Sequence, residues 1–269
     1  MPPAVTATYF VSPTAEAVAE AAAALFTSTA NAAVKARGIA RIAISGGSTP
    51  KRMFNVLADP AKPYAASTPW DKLQLFWVDE RCVAPTEPDS NYRMTKEALL
   101  DHVPLPASQI HRMEGELDPQ VAAARYESDI RNTFKLEGAE TPTFDLILLG
   151  MGDDGHTASL FPHTEALHEI SLIVTPNHVP QKDTWRVTLT KPVINQGREV
   201  AFLIEGAGKA SILADVLLGP YDPESKPSQL IRPASGKLSF LLDAAAASKL
   251  PEPTVTDADT AAVGKLELQ

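Results

Sequence analysis

The chain has 269 residues, of which 44% are hydrophobic and 21% charged, a balance that fits a folded globular protein and excludes a disordered one. A net charge of −9 excludes a general nucleic-acid binder, which needs a surplus of Lys and Arg on one face; a small anionic ligand needs only a few cations. The single cysteine, Cys82, excludes an internal disulfide and a thiolate metal cluster. Arg81 beside it is a reason for a lowered thiol pKa, but the reading adopted is a small packed residue.

In chain order, Ser12-Pro13 has the form of an N-cap and first helical residue, opening an alanine-rich helix that stops at Gly38. The apolar, β-branched "IARIAI" (39–44) is a buried strand. Thr49-Pro50 repeats the cap-and-proline pattern for a second helix. "LQLFWV" (73–78) is a strand, a helix starts near Ser90, and Asp118-Pro119 begins a long helix to about Leu136. "FDLILL" (144–149) is a strand, as are "SLIV" (171–174), "WRVTLT" (185–190) and "VAFLIE" (200–205). "GKASILADVLL" (208–218) is a helix, "LSFLLD" (238–243) a strand and "AAAASKL" (244–250) a last helix. The polar stretch 251–269 reads as a loose tail. Strands alternating with helices predict an α/β fold: one domain spanning 1–269, its core at about 12–250, with a mostly parallel sheet covered by helices on both faces.

The first lysine is Lys35, so no basic n-region of a signal peptide is read, and no run of roughly 18 apolar residues suggests a membrane span. The expected location is the cytoplasm, with no membrane or nucleic-acid partner, and the expected state is a monomer.

In open α/β sheets ligands bind beyond the carboxyl ends of the strands. Four segments there carry unusual chemistry. Ser45-Gly46-Gly47-Ser48-Thr49 joins two glycines, two hydroxyl-bearing serines and a threonine to a helix start, which makes either an anion site or an ordinary tight turn. Asp79-Glu80-Arg81 offers a guanidinium fork for a phosphate or carboxylate, or else a charged loop with internal ion pairs. "GMGDDGH" (150–156) places Asp154 two residues from His156 on a glycine-rich turn. That spacing suits a general base whose tautomer a carboxylate fixes, and equally a helix cap beside a surface histidine. Arg186 and Lys209 add two cations near the same end of the sheet; each alone is an ordinary solvated charge. His102, His111, His163, His168 and His178 show no metal-ligand spacing, so no metal is expected.

The segments "ISGGSTP", "VDERCVAPTEPDSNY", "GMGDDGHTASLFP", "WRVTLT", "EGAGKA" and "LIRP" occur in the order seen in 6-phosphogluconolactonases of the pentose phosphate pathway, which the chain resembles over residues 39 to 250. The resemblance implies a fold similar to glucosamine-6-phosphate deaminase and ribose-5-phosphate isomerase. It implies hydrolysis of 6-phospho-D-glucono-1,5-lactone to 6-phosphogluconate without a cofactor. The family's catalytic histidine falls on His156 and its motif aspartate on Asp154, with Asp153 at a variable place. Phosphate and sugar contacts fall on Ser45 to Thr49, Arg81, Lys209 and Arg186. Asp79 matches a catalytic acid of the related deaminases. Those enzymes continue "HIAFNEP" after the histidine, so Phe161 stands where they carry a glutamate that moves protons. A non-catalytic sugar-phosphate sensor is the reading from another class, and no DNA-binding module accompanies the domain to favour it.

Overall fold

Ile42 and Ile44 leave one face of their strand and Ala43 the other, and all three are fully buried. A strand of that kind has to be covered on both sides. The computed structural model describes residues 4–253 and 262–268. Its elements are β1 (Val5–Ser12), α1 (Ala15–Arg37), β2 (Ala40–Ile44), α2 (Ser48–Ala58), α3 (Tyr64–Ser67), β3 (Leu73–Trp77), β4 (Asp79–Arg81), α4 (Asn91–Thr95), β5 (Ile110–His111), α5 (Pro119–Phe134), β6 (Leu146–Leu149), β7 (Val174–Val179), β8 (Thr184–Leu189), α6 (Lys191–Asn195), β9 (Glu199–Ile204), α7 (Ala210–Leu218), β10 (Lys237–Asp243) and β11 (Ala262–Leu268).

Eight strands form one sheet in the order β11-β1-β10-β9-β6-β2-β3-β5, and every pairing in it is parallel except β1 with β11. On one face, Ile42 and Ile44 meet Ala22, Phe26 and Ala30 of α1 and Met53, Phe54 and Leu57 of α2. On the other, Ala43, Phe76, Ile147, Phe202 and Phe240 meet Tyr126 and Ile130 of α5 and Leu213 of α7. The α/β architecture with both faces covered is the one the alternation of elements predicts. A second, antiparallel sheet, β4-β8-β7, packs on the α5 side.

Several local expectations are corrected. Ser12 does not cap the first helix; it ends β1, and Thr14 caps α1 by accepting from Ala17 N at 3.2 Å. The N-terminal region is therefore a strand followed by a helix. Its strand alternates buried Ala7 and Tyr9 with less buried neighbours, a period-two pattern that the adjoining alanines mask. The second helix starts at Ser48 with Gly47 as cap, two residues before the expected cap, Thr49. "SLIV" contributes only Val174 to β7, whose remaining residues are partly polar because it lies in the small sheet. "AAAASKL" holds a short 3-10 turn at Ala246–Lys249 in place of a helix. The tail is not loose throughout: β11 pairs antiparallel with β1, and Leu268 is buried. Residues 254–261, part of that predicted tail, lie outside the described residues.

By length and composition α1 alone among the described helices could cross a membrane, with a mean hydropathy of 1.2 over its best window. It buries Val18, Ala22, Phe26 and Ala30 in the core, which accounts for that composition.

Candidate active site

The turns that follow β2, β6 and β9, three neighbouring strands, open into one cleft of about 270 Å³. The site is built first by glycines. A Cβ on Gly46 would lie 1.8 Å from Oδ1 of Asn91, and one on Gly152 would lie 2.0 Å from Nδ1 of His156. Gly47 has φ 116°, a region that L side chains rarely adopt, and it is the N-cap of α2 with no side chain to bond the first turn. The leading N–H groups of α2 therefore face the cleft without a side-chain partner, an arrangement that favours an anion.

His156 is presented by the turn after β6. Gly155 takes φ 78°, and Gly152 N donates to His156 O at 2.9 Å, which closes the turn. Ala158, just beyond, is held at φ 48°, a strained value for a residue with a Cβ. Asp154 Oδ1 accepts from His156 Nδ1 at 2.5 Å and from His156 N at 3.1 Å. Burial disfavours the Asp154 carboxylate, but the hydrogen bonds and charge of His156 outweigh it and bring its pKa down to about 2. The aspartate is thus ionised at neutral pH and can only accept, so Nδ1 of His156 carries the hydrogen. Nε2 has no hydrogen-bond partner among the described residues. Phe161 stacks on the imidazole, with ring centroids 3.9 Å apart and planes 21° apart.

Asp79 and Glu80 belong to β4. Glu80 is 2% exposed and accepts from Arg81 N, Ser90 Oγ, Asn91 N and Tyr92 N, fastening β4 to the start of α4. Burial raises its pKa against the pull of those amides. Asp79 is also buried and accepts from Ser159 Oγ at 2.6 Å. Its backbone carbonyl accepts from Asn91 Nδ2 at 2.9 Å. Its carboxylate is committed to holding the His156 turn against β4.

Arg81 on β4 lies opposite Arg186 on β8 in the antiparallel register. Arg81 Nη1 donates to Asp89 O at 2.5 Å, and Arg186 Nη1 donates to Thr184 Oγ1 at 2.8 Å. Neither forms an ion pair with a carboxylate among the described residues. Burial, and then the charge of Arg81, lower the pKa of Arg186. Two partly desolvated like charges side by side attract an anion between them. Lys209 also lines the cleft, and its Nζ lies 2.5 Å from Oδ1 of exposed Asp153.

Ser45, Gly46, Gly47, Ser48, Thr49, Asp79, Arg81, His156, Arg186 and Lys209 all line this cleft, and Asp154 stands behind His156 outside the lining. Sequence reading gave no role to Glu205, Lys182 or Asn91, which line it as well, and did not see that Phe161 touches the histidine. Glu205 is the last residue of the predicted strand "VAFLIE", at its carboxyl end, and that position was a usable signal. Cys82 is partly buried, and burial pushes its thiol up to about 11, so it is a packed residue and not an activated one. Among the described residues no three His, Cys, Asp or Glu side chains converge as a metal site.

The sequence model of the family described as glucosamine-6-phosphate isomerases/6-phosphogluconolactonase matches residues 13–240. The 6-phosphogluconolactonase of Nostoc sp. (strain PCC 7120) is 45% identical over 220 residues, covering 81% of this chain and 88% of the relative. The solved structure of 6-phosphogluconolactonase from Trypanosoma cruzi superposes with a TM-score of 0.79 at 29% identity, covering 90% of this chain and 96% of that one. A monomeric glucosamine-6-phosphate deaminase superposes with a TM-score of 0.73 at 19% identity over 90% and 99% of the two chains, a likeness of fold alone. The family match takes in the central strands β2, β3, β6 and β9 and every residue that lines the cleft, and on that ground the chain belongs to the glucosamine-6-phosphate isomerase/6-phosphogluconolactonase family.

Proposed function

We propose that this chain is a 6-phosphogluconolactonase, hydrolysing 6-phospho-D-glucono-1,5-lactone to 6-phosphogluconate in the pentose phosphate pathway, with His156 as general base and no metal. The observation that carries the reading is the His156 environment: a carboxylate fixes its tautomer on one side and an apolar ring, Phe161, covers its face. An ammonia-releasing deaminase needs further proton transfer in that place, and a phenyl ring supplies none. Identity of 45% to a 6-phosphogluconolactonase supports the same choice.

A δ-lactone is an activated ester, so no covalent nucleophile is required. Nε2 of His156 takes a proton from water as its oxygen bonds to C1. Asp154 stabilises the imidazolium that results. As the tetrahedral intermediate collapses, the C1–O5 bond breaks and the imidazolium returns its proton to O5. Arg81, Arg186, Lys209 and the open end of α2 hold the phosphate far from C1, and that remote binding fixes the orientation of the reacting carbon.

The test is hydrolysis of freshly prepared lactone by purified protein, against the spontaneous rate, with a metal chelator present. Turnover that resists the chelator is the expected result. Turnover abolished by the chelator would remove the metal-free mechanism, and none above background would remove the function. His156→Ala is expected to lower kcat by roughly 10²–10⁴, the usual range for loss of a general base. An unchanged kcat would show that another group activates the water.

A further inference from the structure

Glu205 follows β9 directly and lines the cleft, yet hydrolysis as derived above gives it no task. Its side chain is 9% exposed. Oε2 lies 3.6 Å from Nε of Arg52, and Oε1 is buried without a hydrogen-bond partner among the described residues. A buried carboxyl oxygen left unpaired is costly, and such an atom in a ligand cleft calls for a partner from the ligand.

The surroundings indicate which partner. Arg52 and Thr49 belong to α2, an eleven-residue helix whose first turn has no side-chain cap. Lys209, ahead of α7, lines the same cleft and is tied to Asp153. An anion that settles on the α2 amides and Lys209 therefore stands close to Glu205. A carboxylate would repel it, whereas a carboxylic acid donates a hydrogen bond to it. Burial raises the Glu205 pKa against the pull of Arg52 and the Thr49 hydroxyl, and Asp243 on β10 adds to the rise. Arg52 is itself shared with Glu16 of α1 at 3.4 Å, and both oxygens of Asp243 are bonded to Gly206 N at 3.0 Å. An arriving dianion pushes in the same direction as burial.

We infer that Glu205 is a further ligand-binding residue of the cleft, one that meets the ligand's phosphate as a neutral acid, so that binding takes a proton up from solvent onto its carboxylate. This rests on the reading that the cleft holds a phosphate monoester.

The test is calorimetric titration of 6-phosphogluconate into the wild type, Glu205→Gln and Glu205→Leu, in two buffers of different ionisation enthalpy, at several pH values between about 6 and 8. His156→Ala, measured alongside, isolates the contribution of that imidazole to the proton balance. The wild type should take up more protons than Glu205→Gln, whose amide donates the same bond at every pH. Above the Glu205 pKa, the wild-type Kd should rise relative to the Gln variant by up to about tenfold per pH unit. Glu205→Leu, neutral but without a donor, should bind more weakly than Glu205→Gln throughout. Equal proton uptake in the wild type and Glu205→Gln, with a Kd ratio independent of pH, overturns the inference. Failure of every form to bind 6-phosphogluconate overturns it together with the phosphate reading. The lactone assay, run separately, tells those two failures apart.

Discussion

Gly152 shows how closely His156, the proposed general base, is held. A Cβ there would lie 2.0 Å from Nδ1 of His156 and 2.7 Å from Oδ1 of Asp154. Gly152→Ala should therefore leave the fold intact and move the imidazole, lowering kcat by about 10²-fold, the scale of loss for a misplacement near 1 Å. Activity and melting measured on the same sample check both halves of that statement. Asp154 gives a second prediction. Its folded pKa of about 2 lies below the ordinary value near 3.9, so it stabilises the folded state above that ordinary value and loses its contribution as pH falls through about 2. The Tm difference between the wild type and Asp154→Asn should shrink as pH falls from about 4 toward 2. A difference unchanged across that range would mean that the carboxylate is not held ionised by His156. At this scale the sequence was highly informative. His156, Asp154 and the glycines around them are adjacent in the chain, so their spacing carried their geometry. Glu205 and the Phe161 stacking were not readable in that way, because burial and ring contact depend on packing from other strands.

The element that organises the rest of the cleft is β4, only three residues long. It gives Asp79 to the His156 turn, Glu80 to the start of α4 and Arg81 to the anion side. Glu80→Ala leaves Ser90 Oγ and the N–H groups of Arg81, Asn91 and Tyr92 without their acceptor. It should cost about 3 kcal/mol or more, since each buried donor left unpaired costs about 1–3 kcal/mol. Denaturant unfolding measures this, and a cost near zero would mean that water replaces the carboxylate freely. From the sequence, "DER" reads as charged loop because strands are recognised by apolar runs, and an edge strand of a small sheet has none. The β1–β11 pairing escaped notice for a related reason. Its partners are more than two hundred residues apart, and nothing in either segment names the other.

Across the whole molecule, the cations of the cleft come from four places: Arg81 on β4, Lys182 between β7 and β8, Arg186 on β8 and Lys209 ahead of α7. They gather in a protein whose net charge is −9, so a phosphorylated ligand is drawn to one place and not to the surface at large. Arg81→Ala should reduce kcat/KM for the phosphorylated lactone by roughly 10–100-fold, as expected when a charged hydrogen-bonding partner is lost. Unphosphorylated gluconolactone should be far less affected. Equal losses on both substrates would take Arg81 out of the phosphate site.

The sequence by itself determined the α/β class, the turns after β2 and β6, and the pairing of His156 with Asp154. Each of these is a local pattern: an apolar run, a glycine that must go where a side chain cannot, or a pair of groups two residues apart. Only the tertiary structure decided that Arg81 and Arg186 face each other, that Asp79 is occupied by Ser159, and that Glu205 sits buried beside the opening of α2. Those relations are set by strand order and by the removal of water between segments distant in the chain, and neither is written in the residues nearby.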